Sequence, residues 1–285
     1  MPEQQQLPPT VMKALLGHEL ARQRELAGMT QVDVAGVLGG TQQKIAHIEA
    51  GRGVKPLDLE ALLDHYGADE TDRAYAMDLY QEGRRRTKRG AFSTRFRQHL
   101  RLLVDMEPTC RTYCTYNSMV IPGLLQTEDY MRALFRVWRP SPTPEQIDRD
   151  TTDRLARQRV LDDTDRQFWF IIDEAALRCV TGSPTIMAAQ ITRLAEAIDR
   201  PNIDLQVVPF SVGYYLGRSS DYTIFGYAVR TPVSIVYVEH YDAGGEYISD
   251  RKRTDRFLTL WDQQKAAAIG PEQTRRMLLD LASSF

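Results

Sequence analysis

Residues 31–50, QVDVAGVLGGTQQKIAHIEA, read as two short helices with a sharp turn between them. Thr30 stands where an N-cap belongs, and Asp33, at the third helical position, favours the positive end of the first helix. Ala35 is small where two helices must pack closely. Gly39 falls where the chain has to reverse, a place that needs positive φ. Thr41 is a second N-cap, and Ile45 and Ile48 recur on one face of the helix that follows. That spacing leaves Gln42, Gln43, Lys44 and His47 facing outward from the start of the second helix. The frame is that of a helix-turn-helix, in which this end of the second helix enters the major groove of DNA.

The flanks extend the pattern. Leu16, Leu20 and Leu26 predict an amphipathic helix over about residues 13–27, closed by Ala27-Gly28. Beyond the motif, Leu57, Leu59, Leu62 and Leu63 predict a fourth helix, with Pro56 and Gly67 as its start and stop signals. A four- or five-helix bundle in this order resembles the phage-repressor type of DNA-binding domain, the XRE family, over residues 14–82. The residues that carry the resemblance are the Thr41-Gln42-Gln43 start of the second helix and the Glu49-x-Gly51-x-x-x-Pro56 tail.

Base contacts are assigned to Gln42 and Gln43, because a Gln amide pairs bidentately with adenine N6 and N7. Lys44 suits guanine or phosphate, and His47, one turn on from Gln43, reaches the same groove. Thr41 completes this end of the helix. Gln31, at the first helix N-terminus, is placed for a phosphate, and Arg52 and Lys55 lie near the same face. The alternative for each is an exposed polar residue with no partner. One short helix reads few base pairs, so a homodimer on a pseudo-palindromic operator in double-stranded DNA is expected.

A chain of 285 residues is long for one domain, and two are expected. The boundaries read as a flexible arm (1–12), the helix-turn-helix domain (13–83), a basic linker (84–91) and a larger domain (92–285). With 42% hydrophobic and 26% charged residues, each part can bury a core. No apolar run approaches the roughly 20 residues of a membrane span. MPEQQQLPPT has no apolar signal region, and three irregularly placed cysteines fit a reducing cytoplasm better than a disulfide framework.

A net charge of −2 does not announce a nucleic-acid binder, but its distribution is uneven. Eight acids against Arg73 alone occupy residues 58–82, and eight bases without an acid occupy residues 84–101. RRRTKR (84–89) either grips phosphates beside the groove or forms a solvated hinge beside the acidic helix. With so few phosphate-facing bases, non-specific binding should be weak and steeply salt-dependent.

In the larger domain, residues 92–108 predict a helix capped by Ser93, and residues 112–121 look extended. Helices are expected from Thr127 to Trp138 and from Thr143-Pro144 to Leu161. A strand over 167–172 precedes a short helix from Asp173 and another from Ser183 to Ile198. IDLQVVPF (203–210) reads as a strand, and 222–228 with 233–240 as a hairpin. Helices are expected over Tyr247–Ala268 and Pro271–Ala282. Helices beside a handful of strands make this domain α+β. Five segments carry a second resemblance: VIPGLLQTEDY (120–130), RLARQRVL (154–161), IIDEAALR (171–178), DLQVVPF (204–210) and SIVYVEH (234–240). In this order they resemble bacterial regulators that join an XRE-type domain to a region called toxin–antitoxin-system antitoxin-like. The resemblance implies a transcription factor, often encoded beside a small protein that binds it, and supplies no catalytic site.

Candidate chemistry is thin. Asp173-Glu174 at a helix start reads as capping, and Glu239-His240 points to opposite faces of a strand. Cys110 and Cys114 lack a second Cys/His pair for zinc, and Arg154, Arg157 and Arg159 have no companion nucleophile. No enzyme, metal or cofactor is expected. Tyr214, Tyr215 and Tyr222, in a Gly-rich stretch, either cover a pocket or interaction surface or pack at a sheet edge. The expected function is a sequence-specific DNA-binding regulator of the repressor type, whose second domain senses a ligand or binds a small partner protein. The alternative is an antitoxin-like protein that sequesters the partner and uses DNA only for autoregulation.

Overall fold

The computed structural model describes residues 7–85, 92–138, 141–228, 230, 232–240 and 244–285. The chain divides into two compact units. The first comprises Met1–Gly90, Gly226–Val236 and Tyr247–Asp255, and the second Ala91–Phe225, Tyr237–Glu246 and Arg256–Phe285.

The helical part of the first unit consists of α1 (Pro9–Leu26), α2 (Gln31–Ala35), α3 (Gln42–Glu49), α4 (Pro56–Tyr66) and α5 (Glu70–Arg84). Helix α1 packs on α3, α4 and α5 and buries Val11, Leu15 and Leu20 completely or nearly so. Each such side chain stabilises the bundle by about 1.5–3 kcal/mol. Helix α1 begins four residues before the expected start. Pro9 at its first position brings a preset φ and lacks only an N–H that would have had no partner there. The helix therefore enters the segment read as an arm.

Two leucines depart from expectation. Leu57 is 79% exposed, because it lies two positions before Leu59 and so on the opposite side of α4 from Leu59, Leu62 and Leu63. Leu26 is exposed at the last residue of α1, where the helix gives way to the Ala27-Gly28 turn. Of the basic stretch, Arg84 closes α5 and Arg85 follows it. Arg86, Lys88 and Arg89 lie outside the described residues.

Beyond α5 the chain runs α6 (Arg101–Met106), β1 (Thr112–Asn117), α7 (Glu128–Trp138), α8 (Pro144–Gln158), β2 (Gln167–Asp173), α9 (Glu174–Arg178) and α10 (Pro184–Ala197). It continues with β3 (Ile203–Val208), β4 (Tyr222–Tyr227), β5 (Val233–His240), β6 (Gly244–Ile248), α11 (Arg251–Ala267) and α12 (Pro271–Ser283). The six strands form one sheet in the order β3-β2-β1-β4-β5-β6. Strands β1, β2 and β3 are parallel, with Tyr113 opposite Phe168 and Phe168 opposite Ile203. The connections from β4 to β5 and from β5 to β6 are too short for parallel crossovers, so these pairs are antiparallel and the sheet is mixed. The domain is α+β.

The parallel half explains the continuous apolar reading of QFWFII. Phe168, Phe170, Ile171 and Ile172 are all buried, as strands covered on both faces require. Tyr113 sits among Phe168, Phe170 and Phe225 with ring centroids 5.8, 5.9 and 5.5 Å away. Helices α10 and α12 pack on each other and on β3. Leu124, Leu125 and Tyr130 are buried.

Three expectations for this domain are corrected. Residues 92–108 form two 3-10 turns and the short α6 instead of one helix. Phe96 and Arg97 are extended, and Arg101 Nε donates to the Phe96 carbonyl at 3.0 Å, engaging an acceptor a continuous helix would use. Tyr247 belongs to the edge strand β6, and the helix starts only at Arg251. Tyr222 is buried in β4, where its ring stacks edge-on with Phe257. Among the described residues no helix is long and apolar enough to cross a membrane.

Candidate nucleic-acid interface

The two helices of the motif are capped by their own sequence. Thr30 Oγ1 accepts from the Asp33 N–H, and the Asp33 carboxylate accepts from both Thr30 N and Thr30 Oγ1 at 2.7 Å. These hydrogen bonds hold the Asp33 carboxyl below its ordinary value. Gly39 takes φ +53° in the turn, and Gly40 N–H reaches the Ala35 carbonyl at 3.0 Å. Thr41 Oγ1 then caps α3 through the Lys44 N–H.

Helix α3 buries Ile45 and Ile48. Its end is fixed by Gly51, at φ +72°, where a Cβ would stand 2.8 Å from Ala14 Cα. Both the conformation and the space therefore demand glycine. Glu49 ties three helices together. It accepts from Arg24 Nε at 2.6 Å and Nη2 at 3.1 Å, and from Gln31 Nε2 at 2.8 Å. Arg24 also donates to the Met29 carbonyl at 2.7 Å. Its guanidinium is held charged above its ordinary value, the Glu49 hydrogen bonds outweighing the cost of burial.

This framework gathers most of the expected site. Thr41, Gln43, Lys44, His47, Arg52 and Lys55 line one open concavity of about 700 Å³. Gln42 is exposed at the start of α3 beside it. The side chains of Gln42, Gln43, His47, Arg52 and Lys55 make no hydrogen bond or ion pair among the described residues, so their bonding capacity is available to a ligand. Two residues differ. The Gln31 amide is engaged by Glu49, and Lys44 Nζ lies 3.0 Å from Asp58 Oδ2. Asp58 was not singled out from the sequence: it is an unremarked acid in the first turn of α4, and only the tertiary fold brings it to the groove.

The other candidate residues have structural partners. Asp173 caps α9 through the Ala175 N–H at 2.8 Å and also accepts from Tyr215 Oη and Arg218. Glu174 pairs with Arg178 and accepts from the Phe210 N–H. Arg157 and the buried Glu107 form a two-bond ion pair at 2.6 and 2.7 Å, and Arg154 donates to Gln126. Burial pushes the thiols of Cys110 and Cys114 up to about 12, which keeps them protonated at neutral pH. His240 and Glu246 are exposed partners 3.9 Å apart. Among the described residues no three His, Cys, Asp or Glu side chains converge as metal ligands would.

The loop after β3 is a separate feature. Phe210, Val212, Tyr214 and Leu216 are exposed on it, Tyr214 to 82%, while Tyr215 turns inward to Tyr116 Oη at 2.6 Å.

A family model described as a helix-turn-helix domain matches residues 15–76. A second, described as a domain of unknown function (DUF5753), matches residues 100–280. No curated protein and no solved structure matches the chain.

Proposed function

The chain belongs to the family defined by the domain of unknown function DUF5753 and carries a helix-turn-helix domain ahead of it, and from this premise we propose that it is a sequence-specific DNA-binding regulator. The observation that supports the reading most strongly is the start of α3. Gln42, Gln43 and His47 stand exposed and unpartnered there, with Arg52 and Lys55 beside them. Amide and imidazole groups suit base edges, and the two cations suit phosphates. The protein acts as a repressor in the cytoplasm, binding a pseudo-palindromic operator as a homodimer whose half-sites lie about one helical turn apart. We assign it no reaction, cofactor or metal.

Selection from random duplex DNA with the full-length chain tests this. Enrichment of a palindrome is expected, and Gln43→Ala with His47→Ala should abolish specific binding while leaving the circular dichroism spectrum unchanged. Retained operator affinity in that variant would remove α3 as the reading helix.

A second reading is favoured by the exposed apolar loop of Phe210, Val212, Tyr214 and Leu216, a surface suited to a protein partner. In it the larger domain binds a small neighbour-encoded protein, antitoxin-like, and DNA binding serves autoregulation. Co-purification of such a protein, lost on Tyr214→Ser with Leu216→Ser, would favour it over ligand sensing.

A further inference from the structure

The helical bundle holds a second recess, of about 300 Å³, that shares Ile48, Gly53, Val54 and Lys55 with the DNA-facing concavity. This volume is at the small end of the range for ligand sites, about 300–1,000 Å³. Its walls are apolar: Leu16 from α1, Ile48 from α3, Leu79 and the ring of Tyr80 from α5. Its charged lining is cationic, from Lys13, Lys55 and Arg84, and among the described residues no acidic side chain lines it.

The three cations are exposed and have few partners within the protein. The Lys13 and Lys55 ammonium groups have no partner among the described residues. Arg84 lies over the Tyr80 ring, 5.3 Å from its centroid, and donates to Tyr80 Oη at 2.6 Å, a neutral acceptor. Helices α1 and α5 approach closely here, since a Cβ on Gly83 would stand 3.2 Å from Lys13 Cγ. Three exposed cations thus border an apolar recess, with no acidic side chain among the described residues that line it.

We infer that this recess binds an organic anion, one acidic group on a compact apolar body. The acidic group meets Arg84 and the two lysines, where charge-assisted hydrogen bonds are strong. The body fills the space against Leu16, Ile48 and Leu79. A phosphate of DNA would supply the charge but nothing to cover those walls. Because the segment Gly53–Lys55 borders both concavities, an occupant fixes the position of Lys55 on the DNA-facing side. The recess is therefore an effector site within the DNA-binding domain, and this coupling rests on the DNA-reading function proposed above.

The test uses full-length protein with labelled Ile, Leu and Val methyl groups, titrated with 1-naphthalenesulfonate in the absence of DNA. Saturable shifts are expected at Leu16, Ile48, Val54 and Leu79. Lys13→Ala with Arg84→Ala, both surface changes, should weaken binding about tenfold or more. The neutral analogue 1-naphthalenemethanol should bind weaker by a similar factor. Shifts confined to other methyls, an unchanged titration in the double variant, or equal affinity for the neutral analogue would each overturn the site. Inorganic phosphate producing the same shifts at the same concentrations would show a bare phosphate seat and overturn the organic-anion assignment. None of these readouts involves Gln43 or His47, so failure of DNA reading and failure of the recess are separable.

Discussion

The Asp33 carboxyl is exposed, yet it lies below its ordinary 3.8 because Thr30 donates to it from both its hydroxyl and its backbone N–H. A carboxyl depressed by folding adds stability that is present above the unfolded value and lost as pH falls through the folded one. The urea midpoint of Asp33→Asn should therefore sit below that of the parent at neutral pH, and the gap should close as the solution is taken below about pH 4. A gap that persists to pH 2 would mean the charge of Asp33 contributes nothing. Thr30→Ala removes the cap itself and should cost about 1 kcal/mol at neutral pH. Glu49 makes a different kind of contribution, since its side chain and that of Arg24 are both largely buried. Glu49→Ala strands a guanidinium and should cost on the order of 3 kcal/mol. Arg24→Met with Glu49→Leu should cost less than Glu49→Ala in the same denaturation assay, because no charge is then left without its partner.

Helices α1 and α3 meet by backbone contact at Gly17, where an added Cβ would stand 2.4 Å from the Glu49 carbonyl oxygen and 2.8 Å from Gly51 N. Gly17→Ala should push the helices apart and lower stability by about 1–3 kcal/mol or more. Gly36 is the control: it has helical φ −63° and ψ −32°, with nothing within 4 Å of a Cβ, so Gly36→Ala should be neutral or raise stability by about 0.4–1 kcal/mol. Urea denaturation of the two variants distinguishes packing from backbone entropy, and equal effects would sink the close-contact account. This contrast also marks what was legible in the sequence. Thr30, Thr41, Thr143 and Asp173 cap the helices they were expected to cap, because a cap is decided within a few residues, whereas Ser93, expected to cap a helix over 92–108, lies inside a 3-10 turn and caps none. The outward face of α3 was legible for the same reason, since helical periodicity alone separates Ile45 and Ile48 from Gln43 and His47. What was not legible depends on partners distant in sequence. The edge strand Gly244–Ile248 takes in Tyr247, where a helix was expected to start, and becomes a strand only by pairing with β5. The engagement of Lys44 by Asp58 joins the starts of two helices that the sequence gives no reason to place together.

The whole chain carries a net charge of −2, so attraction to DNA depends on a few cations brought to one face. On the concavity Arg52 and Lys55 have no ion-pair partner among the described residues, while Lys44 is paired with Asp58. Each phosphate neutralised releases counterions and adds about −0.9 to the slope of log K against log salt. Two such cations give weak non-specific binding, as expected from the sequence, but a shallow slope of about −2 per protomer in place of the steep one expected there, because the slope scales with the number of phosphates neutralised. Asp58→Asn releases Lys44 toward the phosphates and should steepen that slope by about one, with tighter binding at low salt. The change keeps the side-chain shape and loses only an acidic residue from the first turn of α4, worth about 0.3–1 kcal/mol of helix-dipole stabilisation. Lys44→Gln together with Asp58→Asn should return the slope to the parent value, since the released cation is then absent. Fluorescence anisotropy of full-length protein on a duplex of arbitrary sequence, across a salt series, measures all three slopes. An unchanged slope in Asp58→Asn would place Lys44 away from the phosphates and leave Arg52 and Lys55 to carry the non-specific attraction.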